Sequence, residues 1–335
     1  MNLRQVLWSS DPDRLRAGWR LIIQGVAWLT LMLVLQTLLG LGLRGVLSNP
    51  NQLGVAMRQA IGMASEVLSY LALIASLVWA GRFLDKRPLR NFGFHFDRNW
   101  WIDLAFGLAL GIVLMTAVFL FELSVGWVQI SGDFVTRAGG LAFWPGILLP
   151  VIGYVLVGLG EEWWSRGYLL KNLAEGFNGR RLGPLQAIAA ATTLQGAIFA
   201  LLHANNPNAT VVSTVNIFLI SFLLALGFIL TGELAIPIGL HITWNFFQGA
   251  VFGFPVSGNS YLVGTFIGTA QRGPTLWTGG AFGPEAGLVA VGAALLGALL
   301  ILVWVRARYG SIHLSPGIAE FSGVVVGDGQ GTSDV

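Results

Sequence analysis

Eight apolar runs, each close to the roughly 20 residues that a helix needs to cross a bilayer, leave this chain few folds to choose from. They fall at about 21–43, 60–80, 103–123, 143–160, 185–203, 213–231, 234–252 and 286–305. Within lipid every backbone N–H and C=O must be satisfied internally, so runs of this length become helices. The composition agrees: 55% of the 335 residues are hydrophobic and 10% are charged, against about 25% charged in a soluble domain. The expected fold is all-α, a polytopic membrane bundle of about eight transmembrane helices. Abundant glycine (45) suits close helix packing, and several of the 13 tryptophans stand at span ends, where interfacial anchors belong.

Charge is confined to the connections and is lopsided. Of the 19 Lys and Arg residues, 15 lie on one face: before the first span, after the second, after the fourth and after the last. The positive-inside rule makes that face cytoplasmic, with both termini on it, in an integral protein of a bacterial plasma membrane. The chain then divides into a cytoplasmic segment (1–20), N-terminal helices with a basic, aromatic elbow (21–142, elbow 82–101), a core (143–252), an outer loop with the last helix (253–310), and a tail (311–335) read as disordered. The absence of cysteine excludes thiol catalysis, Cys-ligated metals and disulfides. A net charge of +3, with no basic run beyond the elbow, points to the lipid bilayer as partner and not to nucleic acid.

Against this background one stretch stands out: Gly160-Glu161-Glu162-Trp163-Trp164-Ser165-Arg166-Gly167-Tyr168. Two carboxylates at the end of an apolar run are costly unless paired, hydrated or used. Two of the four histidines, His203 and His241, also sit at or near the ends of apolar runs. Phe199 and His203, His241 and Asn245, and Glu162 and Arg166 are each four apart, so each pair shares a helix face. Singly these are ordinary: an interhelical histidine hydrogen bond, an ion pair, an amide joining helices. Together they collect nearly all the ionisable groups buried in the C-terminal half. Glu66, Glu122, Glu233 and Glu285 lie singly or near span ends and read as structural.

Such a set can do two things. Glu with His can activate water as a general base, and a second His with Asn can donate to a developing oxyanion, which together are the equipment of amide hydrolysis. Alternatively, Glu161, His203 and His241 can bind a divalent metal such as zinc, leaving a position for water. No His-Glu-x-x-His helix and no Gly-x-Ser-x-Gly elbow occurs. Simple counting along the helices sets the three motifs at different heights, His203 roughly 28 Å and Glu161 roughly 22 Å from their helix ends. They meet only if helices tilt, extend past the bilayer or thin it locally.

The motifs Glu161-Glu162-Trp-Trp-Ser-Arg166, Phe199-Ala-Leu-Leu-His203 and His241-Ile-Thr-Trp-Asn245 resemble, in order and helix placement, those of the CPBP intramembrane proteases, the CAAX-processing and bacteriocin-processing or Abi family. The resemblance covers about residues 143–252. It implies an endopeptidase acting on a membrane-associated peptide or protein, with Glu161 and His203 activating water, His241 and Asn245 forming an oxyanion hole, and Glu162 with Arg166 orienting the site. It leaves open whether catalysis rests on glutamate alone or on a metal held by Glu161, His203 and His241. Two other classes fit the same composition: a non-catalytic scaffold or immunity protein of the same fold, and a transporter using Glu and His as a proton relay.

Overall fold

The computed structural model describes residues 7–8, 14–48, 53–136, 139–179, 181–259 and 264–321. Among them, seven helices are long and apolar enough to cross a membrane: α1 (Ala17–Gly42), α2 (Val55–Phe83), α3 (Arg98–Ser124), α4 (Phe143–Phe177), α5 (Pro184–His203), α6 (Val211–Thr231) and α8 (Leu288–Tyr309). Their outward faces carry exposed Leu29, Leu33, Leu38, Val113, Leu295 and Leu299, as lipid contact requires. The remaining apolar run, the seventh in sequence, is a shorter rod, α7 (Ala235–Phe246), extended by a π-helical segment, Phe247–Val251. At 1.5 Å per residue it is about 25 Å long, under the roughly 30 Å of a hydrocarbon core.

Rod α7 is the centre of the bundle. Of its α-helical residues all but Ile242 and Phe246 are buried. Glycines on its neighbours make this possible. A Cβ added at Gly107 of α3 would overlap the Ile236 carbonyl, and one at Gly111 would overlap Thr243. A Cβ at Gly158 of α4 would lie 2.6 Å from Ile242, and one at Gly227 of α6 2.9 Å from Ile236. Small residues let backbones approach where lipid offers no hydrophobic drive to pack helices. The Thr243 hydroxyl also donates to the Leu108 carbonyl at 2.8 Å, tying α7 to α3.

Local sequence starts and stops the helices. Asp97 caps α3 by accepting from the Trp100 N–H (2.8 Å), Thr210 and Ser213 form a reciprocal capping box on α6, and Pro184 opens α5. Gly232 ends α6 in the left-handed conformation (φ 74°), which glycine adopts without strain.

Three segments differ from the expectations above. The basic elbow does not merely lie at the surface. Phe92 and Phe94 are buried, and the Gly93 carbonyl accepts from the Leu234 N–H (3.0 Å) and the Trp100 indole (2.9 Å), so the elbow holds the start of α7. The outer loop is not wholly irregular. It contains β2 (Gly264–Gln271), paired antiparallel with β1 (Val128–Thr136) from the loop after α3, with a bulge between Ile130 and Gly132. The tail is docked through residue 321, with Ile318 and Ala319 buried and the Phe321 ring 3.7 Å from the Arg14 guanidinium. Its residues 322–335 lie outside the described residues.

Several basic residues counted above as topogenic charges are buried in one ion network. Glu175 of α4 pairs with Arg14 (2.8 Å), Arg20 (2.9 Å) and Arg87, and Asp85 pairs with Arg20. Burial, together with repulsion from neighbouring arginines, lowers Arg14 and Arg87 to about 9. One carboxylate thus joins the segment before α1, the elbow and the end of α4.

Two outcomes follow in detergent-solubilised protein. Gly107→Leu should lower the thermal midpoint by an amount corresponding to about 2 kcal/mol or more, while Gly292→Leu on α8, which has nothing within 4 Å, should leave it unchanged. Glu175→Gln should cost roughly 3 kcal/mol, because it strands buried arginines without their shared partner.

Candidate active site

The acidic pair ends the regular part of α4 at Glu162, and the next eight residues, Trp163–Leu170, wind as a π-helix before the helix resumes at Lys171. π-segments are rare and concentrate at functional sites. The two carboxylates then point into different surroundings. Glu162 is fully buried, and its Oε1 accepts from Arg166 (2.9 Å) and from His241 Nδ1 (2.7 Å). Glu161 is 20% exposed; its Oε1 accepts from the Tyr70 hydroxyl at 2.6 Å and its Oε2 lies 3.9 Å from His241 Nε2.

Arg166 is fully buried. Besides Glu162 it donates to the Ser165 hydroxyl (2.7 Å) and the Ser221 carbonyl (3.3 Å), and its guanidinium stacks 4.6 Å over the Phe199 ring. A charge so enclosed persists only with a partner of opposite sign and further hydrogen bonds. The Phe-x-x-x-His spacing therefore places an aromatic face on the arginine and, one turn later, the histidine.

His203, the last residue of α5, has its Nδ1 2.8 Å from the Phe199 carbonyl. A carbonyl only accepts, so Nδ1 carries the proton and Nε2 is left as the free nitrogen. The Glu162 carboxylate does the same to His241. Both rings are thus held by Nδ1–H with Nε2 available, the arrangement that orients a working imidazole.

His203, His241 and Asn245 share one small cavity of about 50 Å³, whose apolar wall includes Ile217, Ile220, Leu223 and Leu224. The difference in height that counting along the helices implied is absorbed because α7 is a short central rod, which carries His241 and Asn245 to the end of α5. Glu161 does not line this cavity; it reaches the group through His241. Among the described residues no carboxylate lies within 4 Å of His203, and no three His, Asp or Glu side chains gather as a metal site. Glu161, His203 and His241 are not brought together as a three-ligand set.

Four residues absent from the expected site contribute to it. Tyr70 of α2 orients Glu161; its signal was a polar stripe in an apolar span, Glu66 and Tyr70 being four apart. Glu285 and Ser257 line the cavity, and Gln248, seven residues after His241, stands on the same helical stripe. The Glu285 carboxyl bonds Gln248 and the Ser257 backbone and hydroxyl. Burial pushes it up to about 7, against the pull of those donors.

No curated protein and no solved structure matches the chain. Residues 142–247 match the family described as Type II CAAX prenyl endopeptidase Rce1-like. That interval begins one residue before α4 and ends just past Asn245, so it contains every motif residue gathered above. The match spans under half of the chain, and in this segment the chain is similar to CAAX-type prenyl endopeptidases.

Proposed function

We propose that this protein is an intramembrane endopeptidase that hydrolyses a peptide bond of a membrane-associated peptide or protein, using water activated by glutamate. The observation that carries this is His241, held by the buried Glu162 through one nitrogen and presenting the other to Glu161 and to the cavity of His203 and Asn245. Glu161 is the more exposed of the pair and has one oxygen oriented by Tyr70. Its separation from His241 Nε2 exceeds a hydrogen bond and is a span that one water can bridge.

In the proposed reaction Glu161 takes a proton from that water while the oxygen adds to the substrate carbonyl carbon. The oxyanion receives hydrogen bonds from the Asn245 side-chain amide, while the free Nε2 of His241 accepts a hydrogen bond from the attacking water. Glu161 then returns the proton to the leaving amine as the C–N bond breaks, so that its carboxylate is regenerated. Arg166 offsets the charge of Glu162, and Glu162 keeps His241 in one tautomer. Relative to the assignment made from resemblance, His241 takes the place beside Glu161 that had been given to His203. The lopsided distribution of Lys and Arg supports placing both termini in the cytoplasm.

The test is cleavage of an internally quenched peptide library embedded in phospholipid vesicles by the purified protein. Glu161→Ala and His241→Ala should each lower kcat by roughly 10²–10⁴-fold, and Asn245→Ala by roughly 10²–10³-fold, with the variants still folded. A fully active Glu161→Ala variant would sink the proposal. Loss of activity with chelator, restored by zinc, would replace glutamate-only chemistry by the metal-assisted kind. Tyr70→Phe should lower kcat about tenfold to a hundredfold, as expected for loss of a hydrogen bond to a charged group, with little change in KM.

A further inference from the structure

Glu285 belongs to none of the three motifs, yet it is a buried carboxylate on the wall of the site cavity. Among the described residues no cation pairs with it. Such a group is costly to bury unless its oxygens are occupied, and here both are. One accepts from the Ser257 backbone N–H and from the Ser257 hydroxyl (3.1 Å), the other from the Gln248 side-chain amide. The Gln248 amide is in turn saturated. Its oxygen accepts from the Trp244 indole (2.9 Å), and its nitrogen also donates to the Pro255 carbonyl (2.6 Å). The indole can only donate, so the amide is oriented with its N–H groups toward Glu285 and Pro255.

These contacts link two things that the sequence keeps apart. Gln248 and Trp244 share a stripe of the rod with His241 and Asn245, so fixing Gln248 fixes the rotation of that face. Pro255 and Ser257 belong to the segment 253–259, which crosses from the end of the rod to the turn after His203. There the Asn206 amide donates to the Ser257 carbonyl (3.0 Å), and the Gly258 N–H donates to the Phe282 carbonyl (2.6 Å). Gly258 has φ 79°, and a Cβ there would overlap the Pro207 carbonyl, so this crossing is close and needs glycine.

We propose that Glu285 is a positioning residue: it latches segment 253–259 over one end of the cavity and, through Gln248, holds the His241–Asn245 face of α7 in register with Glu161 and Glu162. Entry to the cavity from that end requires release of the latch. The positioning half rests on the hydrolase reading; the latch does not.

The chain has no cysteine, so one introduced thiol reports without background. Ile217→Cys places it on the cavity wall, and Ser311→Cys, on an exposed residue, measures intrinsic reactivity. Labelling by a water-soluble maleimide should be at least tenfold faster at position 217 when Glu285→Ala is added, with no change at position 311. Glu285→Gln keeps one acceptor oxygen where two donors need one each, so its NH2 faces either the Gln248 or the Ser257 N–H, which should loosen the latch without leaving a hole. In Glu285→Gln, kcat on the vesicle peptides should fall at least tenfold with KM near the parent value, as expected for a displaced catalytic face and not for lost substrate binding. Unchanged labelling at position 217 in folded Glu285→Ala and Glu285→Gln proteins overturns the latch. A labelling response with kcat unaltered in those variants overturns the positioning role. Failure of every variant and of the parent to cleave would count against the hydrolase while leaving the labelling result to stand.

Discussion

Two helices of this protein are joined by a single fully buried carboxylate. Glu162 leaves α4 and receives both the Arg166 guanidinium, from its own helix, and the His241 imidazole, from α7. Removing any one of the three would strand a buried charge or polar ring, at a cost well above that of a surface ion pair. The same contact fixes the imidazole tautomer and aims its other nitrogen at Glu161. Stability and site geometry therefore rest on one interaction. The neighbouring acids differ in surroundings: Glu162 is enclosed, whereas Glu161 is 20% exposed.

That contact is possible only because α7 sits so deep. Glycines on α3, α4 and α6 remove the side chains that would otherwise hold the rod away, and the elbow carbonyl at Gly93 satisfies the backbone at its start. The ion network around Glu175 ties the segment before α1, the elbow and the end of α4 together on the side that carries most of the basic residues. In lipid, where burial of apolar surface does not favour helix association, close backbone approach and buried polar pairs must carry this load. The protein uses both around its centre.

Much of this was legible beforehand, for identifiable reasons. Span length reports membrane crossing directly, because an apolar run of about 20 residues in lipid has helix as its outcome. The motif residues stood out because ionised and amide groups are scarce in such runs. Other features had weaker signatures. In β1, alternation is broken by Ser131-Gly132-Asp133 at the bulge, and its partner lies more than a hundred residues away. Tyr70 is one of several hydroxyls on α2, beside Ser65, Ser69 and Ser76, and little local marks it out. Glu285 looked like an isolated acid in a Gly-Pro turn, and only its contacts with Ser257 and Gln248 give it a place in the site.

The sequence by itself determined that this chain is a bundle of membrane helices with an acidic pair, two histidines and an asparagine at helical spacing. Those properties are local: they depend on run length, on hydropathy and on the 3.6-residue turn. Only the tertiary structure decided that His241, and not His203, lies against both glutamates, that Tyr70 holds Glu161, and that the seventh run is a short buried rod. Those outcomes depend on how far each helix extends and how it is rotated about its axis. Glycine contacts and buried polar pairs between distant segments set both, and no single segment encodes them.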